Sequence, residues 1–114
     1  VQALNEAMDL CMEKDQDVVI LGLGASDAAA VFGSTKGLVE KYGPKRVLDM
    51  PVSENAITGV ILGMSLNGMR PVMTHIRLEF AMLAIDQIVN QAAKWHYMFG
   101  GQASAPLVIR MIVG

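Results

Sequence analysis

The run Val18-Val19-Ile20-Leu21 contains no polar side chain at any position. A strand turns successive side chains to opposite faces, so a strand that is apolar throughout must be covered on both. A parallel sheet with helices on either side provides that cover. Arg46 to Asp49, Arg70 to Ile76 and Leu107 to Val113 read as three further strands. Helical segments alternate with them. Leu4, Ala7, Met8, Cys11 and Met12 mark a first helix beginning at or before Val1. Ser34 to Tyr42 is a second, stopped by Gly43-Pro44. Ser53 to Asn67, with Gly68 behind it, is a third, and Phe80 to Met98, ending at Gly100-Gly101, is the longest. This alternation predicts one α/β domain: about four parallel strands flanked by helices on both faces.

Composition adds a constraint on the surface. Hydrophobic residues make up 53% of the 114, and with glycine counted the apolar share is about 60%, against the usual 45–50%. One small domain of this size buries roughly 65% of its unfolded surface. The excess therefore predicts cover from another subunit, with a homo-oligomer as one form of it. No run of eighteen apolar residues occurs, which argues against a membrane span. A net charge of −2, with acids and bases interspersed, argues against nucleic acid as a partner. Cys11 is the only cysteine; it cannot form an internal disulfide and fits a reducing cytoplasm. Its helical spacing with Leu4, Ala7 and Met8 predicts a core position.

Between Met50 and Met69 the only charge is the carboxylate of Glu54. Pro51 ends the preceding strand, Ser53 has N-cap chemistry, and Glu54 falls in the first helical turn, where the dipole favours an anion. Ala56, Ile57, Val60, Ile61, Met64 and Leu66 make the helix apolar on most of its circumference, so it is expected to be buried. Glu54 is then either a helix-start residue facing water or a desolvated acid with a chemical task.

Other motifs are weaker. Gly22-Leu23-Gly24 after a strand invites a dinucleotide site with Asp49 on the ribose, but Asp27 stands where that fingerprint needs glycine. His75 and His96 lack a Cys or acid at ligand spacing, so no metal site is expected. His75 reads as a hydrogen-bonded structural residue near the carboxyl end of the sheet. No G-x-S-x-G nucleophile motif is present. Asp86 is expected to cap or pair locally. Trp95, Tyr97 and Phe99 beside Gly100-Gly101 have the composition of packing residues or an interface anchor.

Four segments occur in one order and spacing: ALNEAMD from Ala3, KYGPKRVLDMPVSE from Lys41, AIDQIVNQAAK from Ala84 and YMFGG from Tyr97. Together they resemble the pyrimidine-binding domain of transketolase-like thiamine diphosphate enzymes, and within it the beta subunit of the decarboxylating component of 2-oxo acid dehydrogenase complexes. The resemblance implies the thiamine diphosphate-binding fold and a cofactor shared at a subunit interface. In the family the glutamate of the P-[IV]-S-E motif, here Glu54, hydrogen-bonds the aminopyrimidine ring nitrogen and favours the imino tautomer. An aromatic packs on that ring, and Phe80 matches its position. The implied partner is an alpha-type subunit holding the diphosphate and magnesium, and the implied substrate is a 2-oxo acid.

The chain departs from the family in three ways. Leu23 stands where an acidic residue is common, and Leu83 where many members have glutamine. The stretch before the aromatic reads Ile76-Arg77-Leu78-Glu79 instead of a threonine- and asparagine-containing run. The downstream catalytic histidine and second domain of the family have no counterpart, so the chain is expected to be a truncated half-site, inactive alone. The alternative is a non-catalytic oligomerisation or interaction module with the same fold. A small nucleotide-binding protein is the third possibility.

Overall fold

The computed structural model describes residues 1–113 other than Ala28. Ala28 and Gly114 lie outside the described residues. Helix α1 (Gln2–Lys14) leads into strand β1 (Val18–Gly22). A short 3₁₀ turn (Ala30–Gly33) and helix α2 (Leu38–Tyr42) precede β2 (Val47–Asp49). Helix α3 (Glu54–Leu66) connects to β3 (Arg70–His75). A long helical stretch from α4 (Leu78–Ala81) to α5 (Ala93–Met98) precedes β4 (Val108–Met111). The four strands form one parallel sheet, as the strand pattern predicts, and their order is β2-β1-β3-β4.

Strand alternation divides the core between two faces. Val18 and Ile20 join Met8, Met12, Leu38 and Val47 under α1 and α2. Val19, Leu21 and Met73 join Ile57 and Ile61 under α3. The unbroken apolar run of β1 thus serves both faces at once. Arg46 ties the first layer together by donating to the carbonyls of Met12, Asp15 and Val18, which closes the end of α1 onto β1.

Several expectations need correction. Cys11 is exposed, not in the core; the α1 face carrying Leu4, Ala7 and Cys11 borders an open groove beside β4. Helix α2 starts at Leu38 instead of Ser34, because Val31, Phe32 and Gly33 all adopt left-handed backbone and Gly37 has φ 80°. Such a chain cannot continue as a right-handed helix. Helix α3 buries Ile57, Thr58, Ile61, Leu62 and Ser65 but leaves Ala56 and Val60 exposed. Ser53 occupies the N-cap position without a side-chain capping bond. The long helix is not uniform: a 3₁₀ turn (Met82–Ala84) and a π segment (Gln87–Ala92) interrupt it. Its Gln87 lies against Gly59 of α3, where a Cβ would come 3.3 Å from the amide oxygen. Glycine at that crossing lets the two helices approach closely.

Candidate functional site

Residues at the carboxyl ends of β1 and β3 and the entrance of α3 enclose a cavity of about 110 Å³. Such crevices at strand ends are where α/β proteins bind ligands. Pro51 stops β2 from running on, and α3 begins at Glu54, so the carboxylate is delivered to the cavity wall in the first helical turn. Glu54 is half-buried. Phe80, far along the chain, reaches the same cavity because α4 follows directly after β3. Val52, Ile57, Met73 and Ile76 supply apolar wall, and Leu23 stands on the β1 side. The two residues marked by the sequence, Glu54 and Phe80, are therefore brought together.

His75 belongs to this cavity too, and it is 3% exposed. Its Nε2 lies 3.3 Å from the Thr58 hydroxyl oxygen, and that hydroxyl is 2.7 Å from the Glu54 carbonyl oxygen. A hydroxyl has one proton, and the short contact to a carbonyl acceptor claims it. The imidazole must then donate from Nε2, which fixes its tautomer. The relay ties the end of β3 to the turn of α3 that carries Glu54. His75 is thus hydrogen-bonded, as expected, but it also lines the candidate site. Thr58 escaped the sequence reading. Its signal was spacing: position i+4 from Glu54 shares that residue's helical face.

Burial pushes the His75 pKa below its ordinary value of 6.5, and the nearby Glu54 carboxylate opposes the shift. A group with a depressed basic pKa leaves the unfolded chain holding more protons as the pH falls below about 6.5. His75 should therefore cost stability on acidification, and stability should return as the pH rises. Urea unfolding between pH 5 and 8 is the check. His75→Asn should narrow its stability gap to wild type at pH 5; a gap that does not change with pH would rule out the titration.

The other sequence candidates are engaged elsewhere. Asp49 accepts from the backbone N–H groups of Gly24 at 2.6 Å and Met50 at 2.8 Å. Both contacts fall on Oδ1, and Oδ2 lies 3.5 Å from the Ser26 hydroxyl, so this carboxylate closes the β1 loop. Asp86 accepts from Asn90 at 2.9 Å, a local pair as expected. His96 contacts the Ala103 carbonyl at 3.0 Å on the surface. Trp95 and Phe99 stack with ring centroids 4.7 Å apart, whereas Tyr97 is 89% exposed. These aromatics do not enter the domain core.

A family model described as "Transketolase, pyrimidine binding domain" matches residues 1–114. The beta subunit of the mitochondrial pyruvate dehydrogenase E1 component of Pisum sativum is 44% identical over 112 residues, covering 98% of this chain and 31% of that protein. The pyruvate dehydrogenase E1 component subunit beta of Rickettsia felis is 42% identical over 109 residues, covering 96% and 33%. The acetoin:2,6-dichlorophenolindophenol oxidoreductase subunit beta of Cupriavidus necator is 45% identical over 122 aligned positions, covering 98% and 36%. The chain spans about a third of the length of these curated relatives.

Proposed function

This chain belongs to the transketolase pyrimidine-binding-domain family, and from that premise we propose that it supplies the pyrimidine half of a thiamine diphosphate site in a 2-oxo acid dehydrogenase. The observation that carries the reading is the single half-buried carboxylate of Glu54 opening into the same small cavity as Phe80. An aminopyrimidine presents a ring nitrogen and flat apolar faces. The cavity offers one carboxylate, one aromatic ring and aliphatic walls, and so it fits that group. No cluster of three or more metal-ligating side chains occurs among the described residues. We assign the diphosphate and magnesium to an alpha-type partner subunit, as the family resemblance implies.

The chemistry supplied by bound thiamine diphosphate is a carbon nucleophile and an electron sink for a 2-oxo acid losing carbon dioxide. Glu54 holds a proton at the pyrimidine ring nitrogen, Phe80 covers the ring face, and the walls from Val52 and Ile57 keep water away. His75, through Thr58, fixes the turn from which Glu54 projects. The exposed Met82, Leu83 and Tyr97 supply apolar surface for assembly. A second copy and an alpha-type subunit are the partners that this surface suits. The reducing compartment inferred from the lone Cys11 is the cytoplasm, although the pea relative is named as mitochondrial.

Calorimetric titration with thiamine diphosphate and magnesium tests the proposal. The chain with an alpha-type subunit should bind in the micromolar range, about 8 kcal/mol, and the chain alone at least tenfold more weakly. Absence of binding in both arms would favour the non-catalytic interaction module instead. The departures at Leu23, Arg77 and Glu79 are the observations behind that second reading.

A further inference from the structure

The Glu54 cavity contains a second titratable group, and only half of its hydrogen-bonding capacity is used. Strand alternation turns Met73 and His75 toward α3 and Thr74 away from it. His75 therefore meets Thr58, and its Nε2–H donates to that hydroxyl at 3.3 Å. A neutral imidazole protonated at Nε2 carries a lone pair on Nδ1. Burial favours the neutral ring at pH 7, against the opposing pull of the Glu54 carboxylate.

Nδ1 has no hydrogen-bond partner among the described residues. Among those residues, the fully buried polar side-chain atoms left without a partner are the Thr35 and Thr74 hydroxyls, and Nδ1 is not one of them. It therefore keeps an opening. The open space that His75 borders is the cavity it shares with Glu54, Ile76 and Phe80.

The cavity wall thus presents two acceptors, the Glu54 carboxylate and the His75 nitrogen, beside an aromatic ring and aliphatic side chains. Ser53 and Arg77 also line it, but neither donates to His75. Water can donate to Nδ1. A flat ligand seated against Glu54 and Phe80 displaces that water, and it must bring a donor of its own or leave the nitrogen unpaired. On the pyrimidine half-site reading, from which this step proceeds, the N–H donor of a neutral aminopyrimidine is its exocyclic amine.

We propose that His75 contacts the ligand directly, its Nδ1 accepting a hydrogen bond from the exocyclic amine of the aminopyrimidine. The contact serves recognition, so the cavity prefers a ring that carries the amine over one that lacks it. Calorimetric titration of the chain assembled with an alpha-type subunit tests this, with thiamine diphosphate and its analogue bearing hydrogen in place of the amine. His75→Leu should weaken thiamine diphosphate about tenfold, the cost of one lost hydrogen bond, and affect the analogue far less. His75→Asn, whose Oδ1 stands near the Nδ1 position, should restore most of the preference for the amine. Equal losses for both ligands in His75→Leu would reduce His75 to a support of the Glu54 turn and overturn the contact.

A second measurement needs no substitution. With nitrogen-15 histidine in this chain alone, two imidazoles are visible, and the exposed His96 is the control. Thiamine diphosphate should move the His75 Nδ1 resonance upfield, and the analogue should move it less. Identical shifts with the two ligands, or a His75 protonated at Nδ1 in place of Nε2, would also overturn the contact. Failure of the wild-type assembly to bind either ligand has a different meaning: it would sink the pyrimidine half-site, and the contact with it.

Discussion

Glu54→Gln, in the chain assembled with an alpha-type subunit, should lower turnover by about 10²–10⁴-fold, the range for losing a positioned acid–base group. The amide is nearly isosteric and can still contact a ring nitrogen, but it cannot carry the negative charge that holds a proton there. Glu54 is half-buried, lies on the cavity wall and forms no ion pair among the described residues. Its replacement should therefore change stability by less than about 1 kcal/mol. Steady-state rates at saturating cofactor, measured beside a thermal melt, separate the two effects. Near-normal turnover would remove Glu54 from the chemistry, and a large drop in melting temperature would recast it as structural. Phe80→Ala offers a contrast, because losing a ring contact should weaken cofactor binding more than it slows the bound complex.

Gly22→Ala should be the most damaging small substitution in the sheet. A Cβ at Gly22 would sit 2.6 Å from the Thr74 carbonyl oxygen and 3.4 Å from its Cβ. The obstacle is backbone in the neighbouring strand, held in register from Val18 to Gly22, so it cannot rotate away as a side chain would. Overpacking of this kind costs about 3 kcal/mol, and for a domain of this size the midpoint should fall by roughly 10–20 °C. A thermal melt of the variant decides the matter. A shift under a few degrees would mean that β1 and β3 separate more easily than their pairing implies. In the sequence this glycine has the setting of a dinucleotide-site turn. The structure gives it a packing role instead: it lets β1 and β3 run side by side at their carboxyl ends.

Local rules carried the fold a long way. The apolar run of β1, the Gly43-Pro44 stop and the turn at Pro51 set element types and order, because strand alternation and helix termination depend on near neighbours. They erred where tertiary contacts compete. Helix α2 lost its expected first turn to left-handed backbone at Val31 to Gly33. The long helix absorbed a π segment while packing against α3. Cys11 had the right spacing for a core residue and the wrong side of its helix for one. Periodicity identifies an apolar face but does not say whether anything covers it.

By itself, the sequence determined that a parallel sheet would form and that one carboxylate would start its Gly-rich helix, since both follow from the order of apolar and turn residues along the chain. Only the tertiary structure decided that Phe80 and His75 would share a cavity with that carboxylate, and that Thr58 would link His75 to the Glu54 backbone carbonyl. It alone set Arg110 beside Thr74, in register across β3 and β4. Those neighbours are fixed by strand order and register, and pairing between distant segments is not encoded in local pattern.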